Sequence, residues 1–198
     1  MHPAADKLND RSMSHVLGNL YSCFGGGLLA VVSVRLHFYI YGTTPKEWLQ
    51  TLGIAEVLGW LFVSVLAHEG IHGLAWKLSN IRNPDIRIQF GFSWKACAFF
   101  ARAIGSMPIR SYIFGAGAPG VLLGILPVAV GLLTGYIPLT IFGSLNIAGA
   151  GGDFIVLWLT RKVSKNSWVI DHPTRLGFMI IEAAPSAVVS PVTSPLRT

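Results

Sequence analysis

The chain consists of long apolar runs separated by polar connections, a pattern that predicts membrane-spanning helices rather than a soluble fold. Four such runs lie at residues 16–34, from near Trp48 to near Trp76, at residues 112–133, and from about Ile137 to Thr160. Each approaches or exceeds the roughly 20 residues that a helix needs to cross a bilayer at 1.5 Å per residue. The pattern therefore predicts four transmembrane helices.

The composition supports this interpretation. Hydrophobic residues make up 52% of the 198 residues, charged residues make up 12%, and the mean hydropathy is +0.56. Soluble domains typically carry about 25% charged residues. We expect a single membrane-embedded domain over residues 1–182, with its first helix retained, and a disordered tail over residues 183–198, which are rich in Pro, Ser and Ala. Cys23 and Cys97 lack C-x-x-C spacing and are expected to be free thiols without a metal role.

Basic residues are concentrated in three of the five polar segments. The N-terminal, middle and C-terminal segments hold Lys7, Arg11, Lys77, Arg82, Arg87, Lys95, Arg102, Arg110, Arg161, Lys162, Lys165, Arg175 and Arg197. The other two connections hold Lys46, with Arg35 just inside the first of them. By the positive-inside rule, both termini and the middle segment face the cytoplasm. The net charge of +6 thus reflects membrane orientation, and nucleic-acid binding is not expected.

The middle segment contains a strand pattern. In "DIRIQFGF", the apolar residues Ile86, Ile88, Phe90 and Phe92 alternate with polar ones, and "KACAFFARA" follows after a break at Ser93 and Trp94. Such alternation predicts a β-hairpin. The expected fold class is therefore an α-helical integral membrane protein with about four transmembrane helices. A small cytoplasmic β-hairpin or sheet is expected between the second and third helices.

The second apolar run contains an H-E-x-x-H motif. His68 and His72 lie one helical turn apart on the same face, so both imidazoles can bind one Zn²⁺ ion, and Glu69 beside them can polarise a water molecule. The alternative is a pair of hydrogen-bonding histidines with a buried glutamate. An uncompensated carboxylate at this depth costs roughly 2.5–3.5 kcal/mol on insertion scales, which favours metal binding.

A catalytic zinc usually takes three protein ligands, so a third must come from elsewhere in the chain. The candidates are His37, Glu56, Asp153, Asp171, His172 and Glu182. Glu56 lies about 18 Å from His68 along the helix axis, and His37 lies near the opposite membrane border. The distance along the chain from Asp153 to Arg161 is about the same as the distance from the motif to Lys77. Asp153 and the motif are therefore expected at the same depth in the membrane, which makes Asp153 the preferred third ligand. Gly149, Gly151 and Gly152 beside Asp153 could let the fourth helix approach the second or unwind locally.

These motifs resemble two groups of membrane metalloproteins. The site-2 intramembrane zinc metalloproteases combine HExxH with an N-x-x-P…D-G segment, to which Asn146–Asp153 corresponds, with Gly149 in place of the proline and Phe154 in place of the glycine. The closer resemblance is to a bacterial family of membrane HExxH proteins described as putative zincin peptidases. The motifs "HEGIHG", "IRIQFGF", "GGD" and "IDHPTRLGF" carry it, over residues 60–178.

The resemblance implies a role for each matching residue. His68, His72 and Asp153 would be zinc ligands, Glu69 the general base, and Asn146 a hydrogen-bonding partner for substrate or for the developing oxyanion. His172 of the "DHP" motif would be a partner of a ligand, or a substitute ligand. The alternative for Asp171 and His172 is a turn before a short strand.

The function expected from these residues is a membrane-embedded zinc metallopeptidase. It would hydrolyse peptide bonds of membrane-associated or transmembrane substrates near the cytoplasmic face of a bacterial cytoplasmic membrane. Its partners would be the lipid bilayer and a peptide or transmembrane-protein substrate, while its oligomeric state stays open. The alternative is a non-catalytic metal-binding scaffold or a small metal transporter, since buried ionisable residues also mark ion pathways. A transporter would need ligands along a path, whereas the sequence offers one cluster at one depth.

Overall fold

The computed structural model describes residues 7–42, 44, 54–83, 85–94 and 98–182. The described residues form six α-helices, six β-strands and one π-helical segment. The strands are β1 (Lys7–Met13), β2 (Arg87–Ser93), β3 (Ala98–Ile104), β4 (Ser106–Pro108), β5 (Trp168–Asp171) and β6 (Leu176–Glu182). The helices are α1 (His15–Tyr41), α2 (Ile54–Ser79), α3 (Ile109–Pro119), α4 (Leu126–Thr134), α5 (Ile137–Gly149) and α6 (Gly151–Thr160), with a π-helix at Gly120–Ile125 between α3 and α4.

Helix α1 is bounded by its capping residues. The Ser14 side chain accepts a hydrogen bond from the backbone N–H of Leu17, which satisfies one of the free donors of the first turn. At the other end, Gly42 adopts a left-handed conformation with φ of 63°, and its N–H donates to the carbonyl of Phe38. The helix between these caps extends over 27 residues, and many of its apolar side chains are exposed.

Three helical segments of the described chain are long and apolar enough to cross a membrane: His15–Tyr41, Leu58–Ser79, and Ile109–Thr134 across the π-helix. The fourth predicted span is not one straight helix. Helices α5 and α6 meet at Ala150 with a bend of 55° and count as a fourth span only if the pair is taken together. The glycines on either side of Ala150 explain the bend, because they lower the cost of leaving helical geometry.

Four of the described strands form an antiparallel sheet in the order β1-β6-β5-β4. Strand β1 pairs with β6 along its whole length, from Lys7 opposite Glu182 to Met13 opposite Leu176. The sheet thus joins a strand before the first helix, one between the second and third helices, and two after the last. Because hydrogen-bonded strands must lie together, these three basic segments share one side of the helices, as the charge pattern predicts.

The predicted hairpin is present between the second and third candidate spans. Strands β2 and β3 pair antiparallel, with Phe90 opposite Ala101. The hairpin lies along α2: Lys77 donates to the carbonyl of Ile86, and Phe90 occupies the space where a side chain on Gly73 would be. Gly73 therefore allows the hairpin to pack closely on α2.

A cluster of buried hydrophobic residues in the described part of the chain lies where the sheet meets the helices. It consists of Trp76, Ile86, Ala103, Met107, Ile109, Tyr112, Ala116, Val156, Val169 and Phe178. These residues come from α2, the two sheets, α3 and α6, so the core connects the sheet to the helices that carry the HExxH motif. The predicted tail, the Trp48 end of the second run and Cys97 lie outside the described residues, and Cys23 is a free, exposed thiol.

Candidate metal centre

His68, His72 and Asp153 form a cluster between α2 and α6. Nε2 of His68 lies 3.0 Å from Oδ2 of Asp153, and Nε2 of His72 lies 3.3 Å from Oδ1. One possible ligand atom from each residue lies within 4.8 Å of the others. Among the described residues, this is the one group of three or more His, Cys, Asp or Glu side chains with such spacing. The structure therefore brings together the two motif histidines and the aspartate expected at the same depth.

The bend at Ala150 places Asp153 in the first turn of α6. Close contact with α1 fixes this position, because a Cβ on Gly151 would lie 2.7 Å from the carbonyl oxygen of Ser22. Likewise, a Cβ on Gly26 would lie 2.9 Å from the carbonyl oxygen of Ala148. The small residues at the bend thus serve the approach to α1, whereas the sequence suggested an approach to α2.

His72 is oriented by two neighbours. Its Nδ1 lies 2.8 Å from the carbonyl oxygen of Gly115. Since a carbonyl only accepts, Nδ1 carries the proton and Nε2, which faces Asp153, is free to bind a metal. The ring also stacks on the indole of Trp76 at 5.2 Å between centroids and 14° between planes. Gly115 has no side chain to obstruct Trp76, whose ring fills the space where a Cβ would lie.

The donor set fits zinc. Imidazole nitrogens and a carboxylate oxygen bind tetrahedral zinc at about 2.0–2.2 Å, so two ligand atoms on one ion lie roughly 3.3–3.5 Å apart. The two distances between histidine nitrogen and aspartate oxygen, 3.0 and 3.3 Å, need only small adjustments to reach that value. The cluster is also largely buried, which limits competition from water.

Glu69 lies beside the cluster and faces the hairpin. Its side chain is partly buried, and the backbone N–H of Ala101 on β3 lies near its carboxylate. The general base expected from the motif is therefore adjacent both to the three candidate ligands and to a strand edge that could hold a peptide.

The other two site residues expected from the resemblance lie outside the ligand cluster. Asn146 is buried; its Oδ1 accepts a hydrogen bond of 2.5 Å from Ser64, one helical turn before His68, and its Nδ2 donates to the carbonyl of Phe142. His172 lies in the turn between β5 and β6, where its Nδ1 accepts from the backbone N–H groups of Thr174 and Arg175. A role for either in catalysis stays a prediction.

Of the remaining candidate ligands, His37 and Asp171 lie elsewhere. Nδ1 of His37 lies 2.8 Å from Oγ1 of Thr140, and Asp171 accepts a hydrogen bond from the hydroxyl of Tyr112. The side chains of Glu56 and Glu182 lie outside the described residues. Sequence reasoning missed Gly115 and Trp76, since a backbone carbonyl and a core tryptophan carry no motif.

The profile of a protein family described as "Putative zincin peptidase" matches residues 61–168. This segment covers more than half of the chain, and it contains the HExxH motif, the hairpin and Asp153. No curated protein matches the chain. No solved structure matches it either.

Proposed function

Since this chain belongs to the family described as "Putative zincin peptidase", we propose that it is a membrane-embedded zinc metallopeptidase. Its substrates would be membrane-associated or transmembrane proteins, cleaved near the cytoplasmic face. The observation that carries this proposal is the convergence of His68, His72 and Asp153, with Glu69 beside them.

The residues divide the chemistry between them. His68, His72 and Asp153 would hold the zinc ion, which when bound supplies Lewis acidity to the scissile carbonyl and the attacking water. Glu69 would take the proton from that water and deliver it to the leaving amine. The carbonyl of Gly115 and the ring of Trp76 would keep Nε2 of His72 directed at the site.

We also propose that an extended segment of the substrate pairs with the outer edge of β3. The position of Glu69 favours β3, because the backbone N–H of Ala101 lies near the Glu69 carboxylate and the outward backbone groups of this strand are therefore beside the general base. An unpaired strand edge can bind a peptide through main-chain hydrogen bonds, and a bound peptide carbonyl would compete with Glu69 for the N–H of Ala101.

Membrane embedding is the second part of the proposal. Three of the described helical segments are long and apolar enough to cross a bilayer, and the motif histidines lie on the second of them. The basic segments share one side with the sheet, which by the positive-inside rule would be the cytoplasm. Glu69 lies eight positions before Lys77 on this helix, about 12 Å from that border at 1.5 Å per residue.

Glu69→Gln tests the proposal. Purified protein reconstituted in liposomes is incubated with a reporter containing one transmembrane helix, and products are identified by mass spectrometry. The wild type should cleave the reporter, and Glu69→Gln should retain zinc but lose cleavage by at least the 10²–10⁴-fold typical of a general base. Asp10→Asn, the same chemical change on β1, should retain both. A fully active Glu69→Gln variant, or a zinc-loaded wild type that cleaves no peptide, would contradict the proposal.

The transport alternative predicts a different result. A carrier needs successive ligands along its path, whereas the described residues hold this single cluster. Uptake of zinc into liposomes that depends on His68 would favour transport, and zinc binding without either uptake or cleavage would favour a scaffold.

A further inference from the structure

Asp171, in the "DHP" motif, makes contacts that join the hairpin to the helices. Its Oδ1 accepts a hydrogen bond of 3.0 Å from the hydroxyl of Tyr112 on α3. The backbone N–H of Ala103 on β3 also lies near this carboxylate and favours its ionised form. The turn between β5 and β6 makes a further contact with the hairpin, since Arg102 donates from Nη1 to the carbonyl of Pro173 at 2.6 Å.

From Tyr112, a continuous stack leads to a candidate metal ligand. The carbonyl of Tyr112 accepts a hydrogen bond of 3.2 Å from the indole of Trp76, and the two rings stack at 6.0 Å and 18°. Trp76 stacks in turn on His72 at 5.2 Å. Trp76 and Tyr112 are buried and Phe178 packs against the far side of Tyr112, so the rings have little room to move independently.

From Ala103, the strand edge leads to the general base. Residues two apart on a strand direct their N–H groups to the same side. The N–H of Ala103 lies on the side of Asp171, and the N–H of Ala101 lies on the side of Glu69. Asp171 therefore contacts one end of the β3 edge that would bind the substrate.

We propose that Asp171 is a positioning residue that sets the distance between the β3 edge and the metal ligands, through Ala103 on one side and the Tyr112–Trp76–His72 stack on the other. This inference rests on the proposed peptidase function. Asp171 touches neither substrate nor metal. Its effect arises because its carboxylate contacts both β3, which would hold the peptide, and α3, which orients His72.

Asp171→Leu and Asp171→Asn separate positioning from simple packing. Leucine fills the space without hydrogen bonds. Asparagine can accept from Ala103 and donate to Tyr112, whose hydroxyl also lies 3.3 Å from the carbonyl of Gly177. We expect Asp171→Leu to lower kcat/KM by about tenfold to hundredfold, the effect of a misplacement near 1 Å, with Asp171→Asn recovering most of it. Asp10→Leu on β1 is the control for loss of a carboxylate from the sheet.

A second readout does not depend on cleavage. The protein is loaded with Co²⁺ in place of zinc, and its visible absorption reports the geometry around the metal. Asp171→Leu and Tyr112→Phe should shift this spectrum, whereas Asp171→Asn and Asp10→Leu should match the wild type. If Asp171→Leu does not fold, Tyr112→Phe alone tests the positioning role of Asp171, since it removes the hydroxyl that binds Asp171 and keeps the stacked ring.

The outcomes distinguish the two proposals. An active wild type whose kcat, KM and cobalt spectrum are unchanged in Asp171→Leu and Tyr112→Phe would overturn the positioning role and leave the peptidase function standing. A wild type that binds cobalt and cleaves nothing would overturn the peptidase function and with it the positioning role in catalysis. In that case, a spectral shift in Tyr112→Phe would still support the path from Asp171 to His72.

Discussion

Oδ2 of Asp153 lies 3.0 Å from Nε2 of His68, although 85 positions and a helix bend of 55° separate the two residues along the chain. The contact joins α2 to the first turn of α6, which begins directly after the bend at Ala150. Two consequences follow. The carboxylate completes a three-residue donor set, and the geometry of that set depends on how α1 supports the bend.

Replacing Asp153 should weaken zinc binding strongly. Asp153→Ala removes a proposed ligand, so the loss of affinity should exceed the tenfold to hundredfold typical when an outer partner of a ligand is removed. Competition with a chromophoric chelator measures it. Thr160→Ala, on the same helix beyond the cluster, is the control. Equal affinity in the wild type and Asp153→Ala would exclude Asp153 as a ligand.

Gly115→Ala should destabilise the protein and disturb His72. The added methyl group would overlap the ring of Trp76, and overpacking of this kind typically costs about 1–3 kcal/mol. Because Trp76 stacks on His72, zinc affinity should fall as well. Thermal unfolding in detergent, with and without zinc, measures both effects.

Gly27→Ala is the matched control for this substitution. A Cβ at Gly27 would meet nothing within 4 Å, and alanine is favoured over glycine inside a helix by about 0.5–1 kcal/mol. This variant should be at least as stable as the wild type. If Gly115→Ala is also at least as stable as the wild type, Trp76 does not pack closely on Gly115.

Asn146→Ala and Ser64→Ala should differ in their effect on cleavage. Both remove the hydrogen bond between the two side chains, and Asn146→Ala also removes the hydrogen bond to the carbonyl of Phe142, so Asn146→Ala should lose more stability. If Asn146 also binds substrate with its second amide hydrogen, as its resemblance-based role requires, Asn146→Ala should lower kcat by more than Ser64→Ala, and both should keep zinc. Equal kcat values in the two variants would show that Asn146 does not bind substrate and only forms a hydrogen bond with Ser64.

Stability should depend on the ionisation of Asp171. Burial raises the pKa of this carboxyl to about 6, although the hydroxyl of Tyr112, the charge of Arg102 and the N–H of Ala103 oppose the rise. An unfolded aspartate titrates near 3.9. The folded state thus binds this proton more tightly, and the resulting stabilisation is complete below about pH 4 and lost as the pH rises through about 6.

The comparison with Asp171→Asn isolates this group. Between pH 4 and 7, the metal-free wild type should lose at most about 3 kcal/mol relative to Asp171→Asn, because each pKa unit corresponds to about 1.4 kcal/mol. Unfolding midpoints of both proteins over this range provide the test. If the unfolding midpoints of the two proteins change with pH in the same way, the pKa of Asp171 is not raised.

The sequence was sufficient to predict the parts of the structure that have strong periodicity. The alternation from Ile86 to Phe92 correctly predicted the hairpin, and three of the four apolar runs correctly predicted helices long and apolar enough to cross a membrane. The depth argument that singled out Asp153 used distances along two helices, and it held because the motif and Asp153 both lie close to the same end of the helices.

Other features depend on tertiary contacts that a single sequence does not show. Strand β1 was missed because "KLNDRSM" has no apolar alternation, and it is a strand because it pairs with β6. The fourth run looked continuous by hydropathy, yet it bends where Gly151 meets Ser22. Gly115 and Trp76 were missed because their role is to orient His72, which depends on a carbonyl from a neighbouring helix and on the packing of Trp76 against that helix.

The central claim is that His68, His72 and Asp153 bind one zinc ion, and zinc stoichiometry tests it most directly. Wild type, Glu69→Gln and Asp153→Ala are purified in detergent, equilibrated by dialysis against buffered zinc, and measured for zinc per chain. The account predicts one zinc per chain in the wild type and in Glu69→Gln, and loss of zinc in Asp153→Ala. A wild type without zinc, or an Asp153→Ala variant that retains it as tightly, would contradict the account.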